Sequence, residues 1–312
     1  MNTNEETALR ERLKAAFDGG LTAKAAAIET GCNERSLAGW LQGQADDATA
    51  SLVKTWCDLV DKEIAESLPG IVQTPTFQRI QTALHATRKS PEVITIFGAP
   101  GSGKTSTIKE FILDKHGQRE RSICYIEAEE AATMPRLLQS LSTAVYGHYD
   151  ALWGRGEIAN RLADSLHTDS RGSCPVIIID EVQRLENRLL AGLAWFYNQR
   201  HISLVLCGNE GKHSDLHGGK NKELAALSDR AAYRLHLVGP SKDDVDTILA
   251  EWGIKGRIER GFMQKARERL NSLRPLIRIL RSAAGFARMR KVNIDIRVLR
   301  AAANDLGYQF EV

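Results

Sequence analysis

One glycine-rich loop constrains the fold of this chain more than any other feature. Residues 98–105 read Gly-Ala-Pro-Gly-Ser-Gly-Lys-Thr and directly follow the apolar run Val93–Phe97. The loop matches the pattern G-x-x-x-x-G-K-[ST] in full. Such a loop joins a buried strand to a helix, and its glycines let backbone N–H groups curl around phosphates. The motif therefore predicts a strand, a phosphate-binding loop and a helix that begins at Lys104.

The side chains of this loop predict what it binds. Lys104 is expected to reach the β- and γ-phosphate oxygens of ATP, and the Thr105 hydroxyl is expected to bind Mg²⁺. The positive end of the helix dipole adds to the attraction for phosphate. The predicted nucleotide-binding residues are those of the loop and one residue beyond it: Gly98, Pro100, Gly101, Ser102, Gly103, Lys104, Thr105 and Ser106.

Two adjacent carboxylates supply the second half of the predicted site. Asp180 and Glu181 directly follow a wholly apolar run, Val176–Ile179. We expect Asp180 to hold Mg²⁺ through its water shell, and Glu181 to orient and deprotonate the attacking water. An Asp-Glu pair after an apolar run is common by itself. Together with the phosphate-binding loop, however, it predicts that the chain hydrolyses ATP.

An amide at the end of another apolar run is a third candidate. Asn209 follows Leu204–Cys207 and one glycine. The carboxyl ends of parallel strands meet at one edge of a sheet, so Asn209 is expected beside Glu181. There its amide could position water near the γ-phosphate. The alternative is an ordinary asparagine in the turn that ends a strand.

Short apolar runs alternate with amphipathic stretches in the middle of the chain. The runs are rich in β-branched residues and occur at Val93–Phe97, Ile123–Ile126, Val176–Ile179 and Leu204–Cys207. This alternation predicts an α/β fold with a parallel sheet covered by helices. We expect a small N-terminal all-α domain at residues 1–68, a P-loop core at 76–239 and a helical C-terminal domain at 240–312. A linker with two prolines and a glycine separates the first two.

The first segment is expected to form short helices. Thr22 is placed to cap a helix over Lys24–Glu29, which Gly31 ends, and another helix is expected from Glu34 to Leu41. Two helices joined by a Gly turn are the layout of a helix-turn-helix, whose second helix enters a DNA groove. Helical hairpins with a Gly turn also occur as plain packing units, and the sequence leaves both interpretations open.

Charge is distributed unevenly along the chain. Residues 1–70 carry 7 basic and 12 acidic side chains, whereas residues 254–312 carry 14 basic and 5 acidic ones. The basic end fits either a polyanionic partner or a solvated helical surface. The 5 cysteines are scattered singly, which disfavours a disulfide framework or a thiolate zinc site. The polar, acidic N-terminus and the lack of a long apolar run predict a soluble cytoplasmic protein without a membrane partner.

The three polar strand ends together resemble the AAA+ branch of P-loop ATPases, with Asn209 in the sensor-1 position. Members of this branch assemble so that an arginine of one subunit completes the site of its neighbour. The resemblance implies that Arg230, in the sequence Ser-Asp-Arg, is this arginine finger, with Arg234 as the reserve. It also implies that the helical end is the AAA+ lid and that Arg278 is the sensor-2 arginine, for which Arg274 competes.

A closer resemblance covers nearly the whole chain. The small helical domain, the Pro-broken linker, the motifs at 98–105, 179–181 and 206–209, the Leu-His-Gly-Gly loop at 216–219 and the basic helical end occur in this order. In order and length the chain resembles the ATP-dependent target-DNA activator B family of Mu-like transposable phages. More distantly it resembles the ATPase regulators of Tn7-like transposons. The resemblance implies an ATP-dependent helical filament on double-stranded DNA, without sequence preference, that presents the DNA to a DDE-type transposase of the A type in the host cell.

The residues that contact DNA are less defined by the sequence. The resemblance implies that loops of the ATPase core form the DNA-facing surface, and the basic or Gly-flexible candidates are Arg155, Arg161, Lys220 and Lys222. Phosphate contacts from such residues are enough for binding without sequence preference. The alternative for each is a solvated surface charge. The basic stretch Arg281–Lys291 is a further candidate for contact with DNA or with the transposase.

Three other functions compete with this interpretation. An AAA+ replication helicase loader or initiator would share the core and would favour single-stranded DNA. An ATP-responsive regulator would read a specific DNA sequence through the first segment. A nucleotide switch would bind ATP with little turnover, which the intact Asp180–Glu181 pair disfavours.

Overall fold

The fold is described from a computed structural model of the 312-residue chain. The structure describes residues 3–18, 22–67, 69–113, 122–130, 132–147, 155–166, 172–212, 227, 229–290 and 292–310. The chain divides into two compact units. One comprises residues 1–70, 248–270 and 274–312, and the other comprises residues 71–247 and 271–273.

The second unit contains a five-stranded sheet in which every strand pairing is parallel. The strands in chain order are β1 (Val93–Gly98), β2 (Ile123–Glu127), β3 (Val176–Asp180), β4 (Ser203–Gly208) and β5 (Ala231–Leu237). Their order across the sheet is β2-β3-β4-β1-β5. Strands β1, β3 and β4 are buried along their whole length, as their continuous apolar sequence predicts. The predicted α/β fold with a parallel sheet is confirmed.

The helices described by the structure occur both between the strands and at the two ends of the chain. In chain order they are α1 (Thr3–Asp18), α2 (Ala23–Thr30), α3 (Glu34–Leu41), α4 (Asp47–Ser67), α5 (Pro75–Ala86), α6 (Lys104–Phe111), α7 (Met134–Tyr146), α8 (Arg155–Ser165), α9 (Asn187–Arg200), α10 (Lys242–Glu251), α11 (Arg257–Leu270), α12 (Leu273–Met289) and α13 (Ile296–Asp305). Helix α6 begins at Lys104, the residue predicted from the glycine-rich loop.

Helices cover both faces of the sheet. On one face, residues of α5 and α6 such as Ile80, Leu84 and Ile108 are fully buried against the strands. On the other face, α7, α8 and α9 contribute buried residues such as Leu141 and Leu190. Each fully buried aliphatic side chain of this kind stabilises the fold by roughly 1.5–3 kcal/mol. The resulting three-layer core holds the ends of β1, β3 and β4 at fixed positions.

The first helices of the chain end and begin where their capping residues predict. The Thr22 side chain accepts a hydrogen bond from the Ala25 N–H, and Gly31 adopts the left-handed conformation that ends α2. Helix α3 spans Glu34–Leu41, as expected, and Asn33 caps it. The 21-residue helix α4 differs from the short helices expected for this segment. Its apolar residues, among them Val53, join α1, α2 and α3 in one core, and this core supports a longer helix than local turn signals indicate.

Within the described ranges, no helix is both long and apolar enough to cross a membrane. All five cysteines are free thiols.

Candidate nucleotide-binding site

The order of the strands brings the predicted site residues to one edge of the sheet. Strand β4 lies between β1 and β3 and pairs with both, with Phe97 opposite Gly208 and Ile179 opposite Leu206. All three strands are parallel, so their carboxyl ends point the same way. The glycine-rich loop after β1, the carboxylates at the end of β3 and Asn209 after β4 therefore share this edge. Open parallel sheets bind ligands at this edge.

The backbone of the glycine-rich loop has conformations that favour glycine. Gly101 and Gly103 have φ angles of 74° and 90°, in the left-handed region. The neighbouring Ala99 N–H donates a 3.0 Å hydrogen bond to the carbonyl oxygen of Leu237 at the end of β5. The Gly101 carbonyl accepts a 2.9 Å bond from the Leu273 N–H. These bonds fix both sides of a loop that leads directly into the N-terminus of α6, which favours an anion.

Lys104 is folded against its own loop. Its Nζ donates hydrogen bonds to the carbonyl oxygens of Gly98 and Ala99, each at 2.9 Å, and to Ser102 Oγ at 3.2 Å. Burial lowers the pKa of the Lys104 ammonium, while the nearby Cys207, Asp180 and other acidic groups act in the opposite direction. The loop carbonyls thus hold the ammonium within the loop that is expected to surround the phosphates.

A hydroxyl and a carboxylate meet beside this lysine. Thr105 Oγ1 donates a 2.7 Å hydrogen bond to Asp180 Oδ2, and Asp180 Oδ1 accepts a 2.9 Å bond from the Glu181 N–H. Asp180 is 1% exposed. Mg²⁺ prefers hard oxygen ligands, often one or two carboxylates together with substrate phosphates and water. The oxygens of Thr105 and Asp180 therefore fit Mg²⁺.

The pKa values of two side chains near Asp180 are raised. Burial raises the pKa of the Cys207 thiol well above its usual range, and the Asp180 carboxylate beside it adds to this rise. Burial also raises the pKa of Tyr125, with further contributions from Asp180 and Glu127. Both groups consequently stay neutral at physiological pH.

Glu181 has an unusual backbone and two polar neighbours. Its φ of 58° and ψ of 35° place a non-glycine residue in the left-handed region, which costs roughly 1 kcal/mol or more. Its side chain is 35% exposed. Glu181 Oε2 accepts a hydrogen bond from Gln183 Nε2 and lies 4.0 Å from Arg184 Nη2. Arg184 Nη1 in turn bonds Glu127 Oε1 at 3.2 Å.

Asn209 lies at the same edge and is connected to Glu181 through an intermediate residue. The Asn209 N–H donates a 3.2 Å hydrogen bond to Gln183 Oε1, and Asn209 Oδ1 accepts a 3.1 Å bond from the Lys212 N–H. Gln183 is not among the site residues predicted from the sequence. The available signal was a polar side chain two residues after Glu181. Only the short 3₁₀ turn Val182–Arg184 reveals that this side chain folds back.

The predicted arginines occupy exposed positions. Arg230 directly precedes β5, and Arg234 lies on this strand; both are exposed. Arg274 and Arg278 are exposed on α12, one helical turn apart. They belong to the other compact unit, and both remain candidates for the sensor-2 role.

The predicted DNA-contacting residues fall partly within the described ranges. Arg155 is the first residue of α8, and Arg161 on the same helix is exposed and donates a 3.0 Å bond to Glu157 Oε1. Lys220 and Lys222, with the preceding 216–219 loop, lie outside the described residues, as does Ser228.

Comparisons with known proteins find two matching families. The family described as AAA domain matches residues 87–214, and the family described as Mu B transposition protein, C terminal, matches residues 229–306. The ATP-dependent target DNA activator B of Escherichia phage Mu is 25% identical over 297 residues, which covers 93% of this chain and 92% of that protein. The protein of the same name from Escherichia phage D108 gives the same identity and coverage.

A solved structure is similar in fold. Cdc6p from Pyrobaculum aerophilum superposes with a TM-score of 0.58 at 17% sequence identity, over 80% of this chain and 72% of that one. At this identity the similarity concerns the fold alone. It is consistent with the helix-covered parallel sheet.

Proposed function

We infer that this chain, which belongs to the AAA+ ATPases of the target-DNA activator B family of Mu-like transposable phages, uses ATP to control its binding to target DNA. The chain is an ATPase with an AAA+ core. Relatives that align over 93% of its length are named ATP-dependent target DNA activators. We extend that activity to this protein.

The hydroxyl–carboxylate pair of Thr105 and Asp180 is the observation that carries the ATPase mechanism. Their 2.7 Å bond joins the start of α6 to the end of β3. These two oxygens would hold Mg²⁺, which when bound neutralises charge on the phosphates. Lys104 would exchange its bonds to the loop carbonyls for bonds to the phosphate oxygens of ATP. Glu181 would take the proton of the attacking water, and Asn209 would help to position that water.

Bound ATP would also control how subunits assemble. We propose that ATP-bound subunits form a helical filament on duplex DNA and present this DNA to a DDE-type transposase. Arg230 is exposed at the start of β5, so it is accessible to a neighbouring subunit, where it would contact the γ-phosphate. Hydrolysis would remove this contact and release the filament. ATP turnover would thereby set the lifetime of the DNA complex.

The domains divide this work in our proposal. Residues 76–239 would carry nucleotide chemistry, and residues 240–312 would act as the basic lid. Residues 1–68 would form a helical module that shares one compact unit with residues 248–270 and 274–312. Binding to DNA without sequence preference requires only phosphate contacts from Lys and Arg. Arg155, Arg161, Lys220 and Lys222 are the proposed contacts in the core.

The proposal is tested by measuring ATP turnover with and without duplex DNA, alongside DNA binding in ATP, ADP and a slowly hydrolysed analogue. We expect binding to duplexes of unrelated sequence that requires ATP and raises turnover. The Lys104→Ala variant should lose nucleotide binding and DNA binding together. Turnover that responds only to single strands would instead support a helicase loader. ATP-independent binding to one duplex sequence would support a sequence-specific regulator.

A further inference from the structure

The short segment after Glu181 contains a side chain that connects two parts of the site. Gln183 Nε2 donates a hydrogen bond to Glu181 Oε2, and Gln183 Oε1 accepts a 3.2 Å bond from the Asn209 N–H. An ionised carboxylate can only accept, and a backbone N–H can only donate. A glutamine amide satisfies both partners in one orientation only, which fixes its oxygen and nitrogen positions.

The residue before Asn209 leaves room for this connection. A Cβ atom on Gly208 would lie 2.9 Å from Gln183 Oε1 and 2.9 Å from Val182 Cγ2. Any larger residue at position 208 would therefore displace the amide. The left-handed backbone of Glu181 has a related effect, since it begins the tight turn that brings Gln183 back towards the carboxylate.

The segment after β4, which contains Asn209, is held in place by Lys212. Lys212 is 6% exposed, and its Nζ donates to the Leu185 carbonyl oxygen at 2.8 Å and to Asn187 Oδ1 at 2.6 Å. Its N–H also donates to Asn209 Oδ1. The segment after β4 is thus tied to the segment after β3 at two points, through Lys212 and through Gln183. The Asn209 N–H is therefore held at a fixed position, from which it orients the Gln183 side-chain amide.

We propose that Gln183 is a positioning residue that orients the Glu181 carboxylate towards the attacking water. Gln183 and Arg184 both face Oε2 of the carboxylate. Oε1 would then be the oxygen that accepts the proton of the water. Without the amide, a side chain that is 35% exposed would sample other rotamers. Misplacement of a general base slows the chemical step without weakening ATP binding. The inference rests on the proposed role of Glu181 as general base.

A Gln183→Met substitution in the full-length protein tests this role, because methionine keeps the length of the side chain and loses both hydrogen bonds. We expect kcat for ATP with Mg²⁺ and duplex DNA to fall about 10-fold. The KM and the separately measured Kd for nucleotide should stay within about twofold. Gln199→Met is the matched control, since Gln199 is exposed on α9 away from the site, and it should leave kcat unchanged.

A double-mutant cycle separates positioning from a structural effect. In the Glu181→Gln background, Gln183→Met should change turnover by less than about twofold, because its effect acts through the missing carboxylate. An equal loss in both backgrounds would overturn the proposal in favour of general destabilisation. Parent-like or increased kcat in Gln183→Met would also overturn it.

A second variant keeps the test valid if Gln183→Met folds poorly. Gln183→Glu retains an acceptor for the Asn209 N–H and loses the donor to Glu181, so kcat should fall while nucleotide Kd is kept. Parent-like kcat in this variant contradicts the inference. If Glu181→Gln itself hydrolyses ATP at the parent rate, the proposed base is wrong. If Glu181→Gln is inactive but both Gln183 variants are fully active, only the positioning role fails.

Discussion

The Thr105 hydroxyl donates a 2.7 Å hydrogen bond to Asp180 Oδ2, although the two residues lie 75 positions apart in the chain. Thr105 is the second residue of α6, which follows β1, and Asp180 ends β3. Strand β4 lies between these two strands, so the pair spans the middle of the sheet edge. A hydroxyl and a buried carboxylate held this close form an oxygen-rich corner next to the phosphate-binding loop.

Removal of the Thr105 hydroxyl should weaken the use of Mg²⁺. In Thr105→Val the shape of the side chain is kept and the oxygen is lost. We expect the Mg²⁺ concentration that gives half-maximal turnover to rise about 10–100-fold. Thr105→Ser keeps the hydroxyl and is the matched control. A titration of Mg²⁺ at saturating ATP measures the effect, and an unchanged Mg²⁺ requirement in Thr105→Val would contradict it.

Replacement of Glu181, the proposed general base, should separate ATP binding from ATP hydrolysis. Glu181→Gln removes the base and keeps the size of the side chain, so turnover should fall roughly 10²–10⁴-fold with ATP binding retained. The variant should stay on duplex DNA after a challenge with excess competitor DNA, because hydrolysis no longer releases it. Glu186→Gln is the control, since Glu186 is exposed and paired with Arg188. Rapid release of Glu181→Gln from DNA would show that hydrolysis does not govern dissociation.

The arginine proposed to act between subunits has a test based on mixing. Arg230→Ala should bind ATP normally and lose about 10³-fold or more of DNA-stimulated turnover. The Arg230→Ala subunit keeps an intact phosphate-binding loop, and the Lys104→Ala subunit keeps Arg230. In a mixture of the two variants, Arg230 of the second could complete the site of the first, so some turnover should return. No recovery at any ratio would argue against action in trans. Arg234→Ala, on the same exposed strand, shows whether the reserve arginine has this role instead.

The ends of the buried strands were well predicted from sequence. Strand β3 ends at Asp180, and β1 runs into the glycine-rich loop, as the apolar runs indicate. A strand buried on both faces is continuously apolar, so the first polar residue marks its end with little ambiguity. The loop motif likewise fixes the start of α6 at Lys104, because its glycines and lysine have a defined geometry.

Contacts between side chains on different turns could not be read from the sequence. Gln183 is an ordinary polar residue in the chain, and its connection to Asn209 depends on the left-handed turn at Glu181 and on the space above Gly208. The order of the strands in the sheet could not be predicted either, because the pattern of apolar residues identifies strands but not which strands are neighbours. Similarly, the length of α4 depends on its packing with α1, α2 and α3, and short-range turn signals did not reveal it.

A buried carboxylate outside the nucleotide site should stabilise the ATPase core in a pH-dependent manner. Asp244 is fully buried, and its oxygens accept bonds from the Thr76 N–H (2.8 Å), the Thr76 hydroxyl (2.7 Å) and the Ser241 N–H (2.8 Å). Burial alone would raise the pKa of Asp244, but these hydrogen bonds outweigh it and lower the pKa below its ordinary value of 3.8. The ionised form is therefore the one that the folded state stabilises.

Asp244→Asn should lower the free energy of unfolding by about 2–3 kcal/mol at pH 7, since charge-assisted bonds are weakened and one amide NH₂ faces a donor. Because the folded-state pKa is lowered, the stabilisation is fully present above the ordinary pKa of 3.8 and is lost as pH falls through the folded-state value. Urea unfolding of parent and variant should thus differ at pH 7 and converge as pH falls below 3.8. Asp243→Asn, an exposed neighbour on α10, should change stability little at either pH. A constant difference between parent and Asp244→Asn across this range would mean that the ionised carboxylate is not the stabilising form.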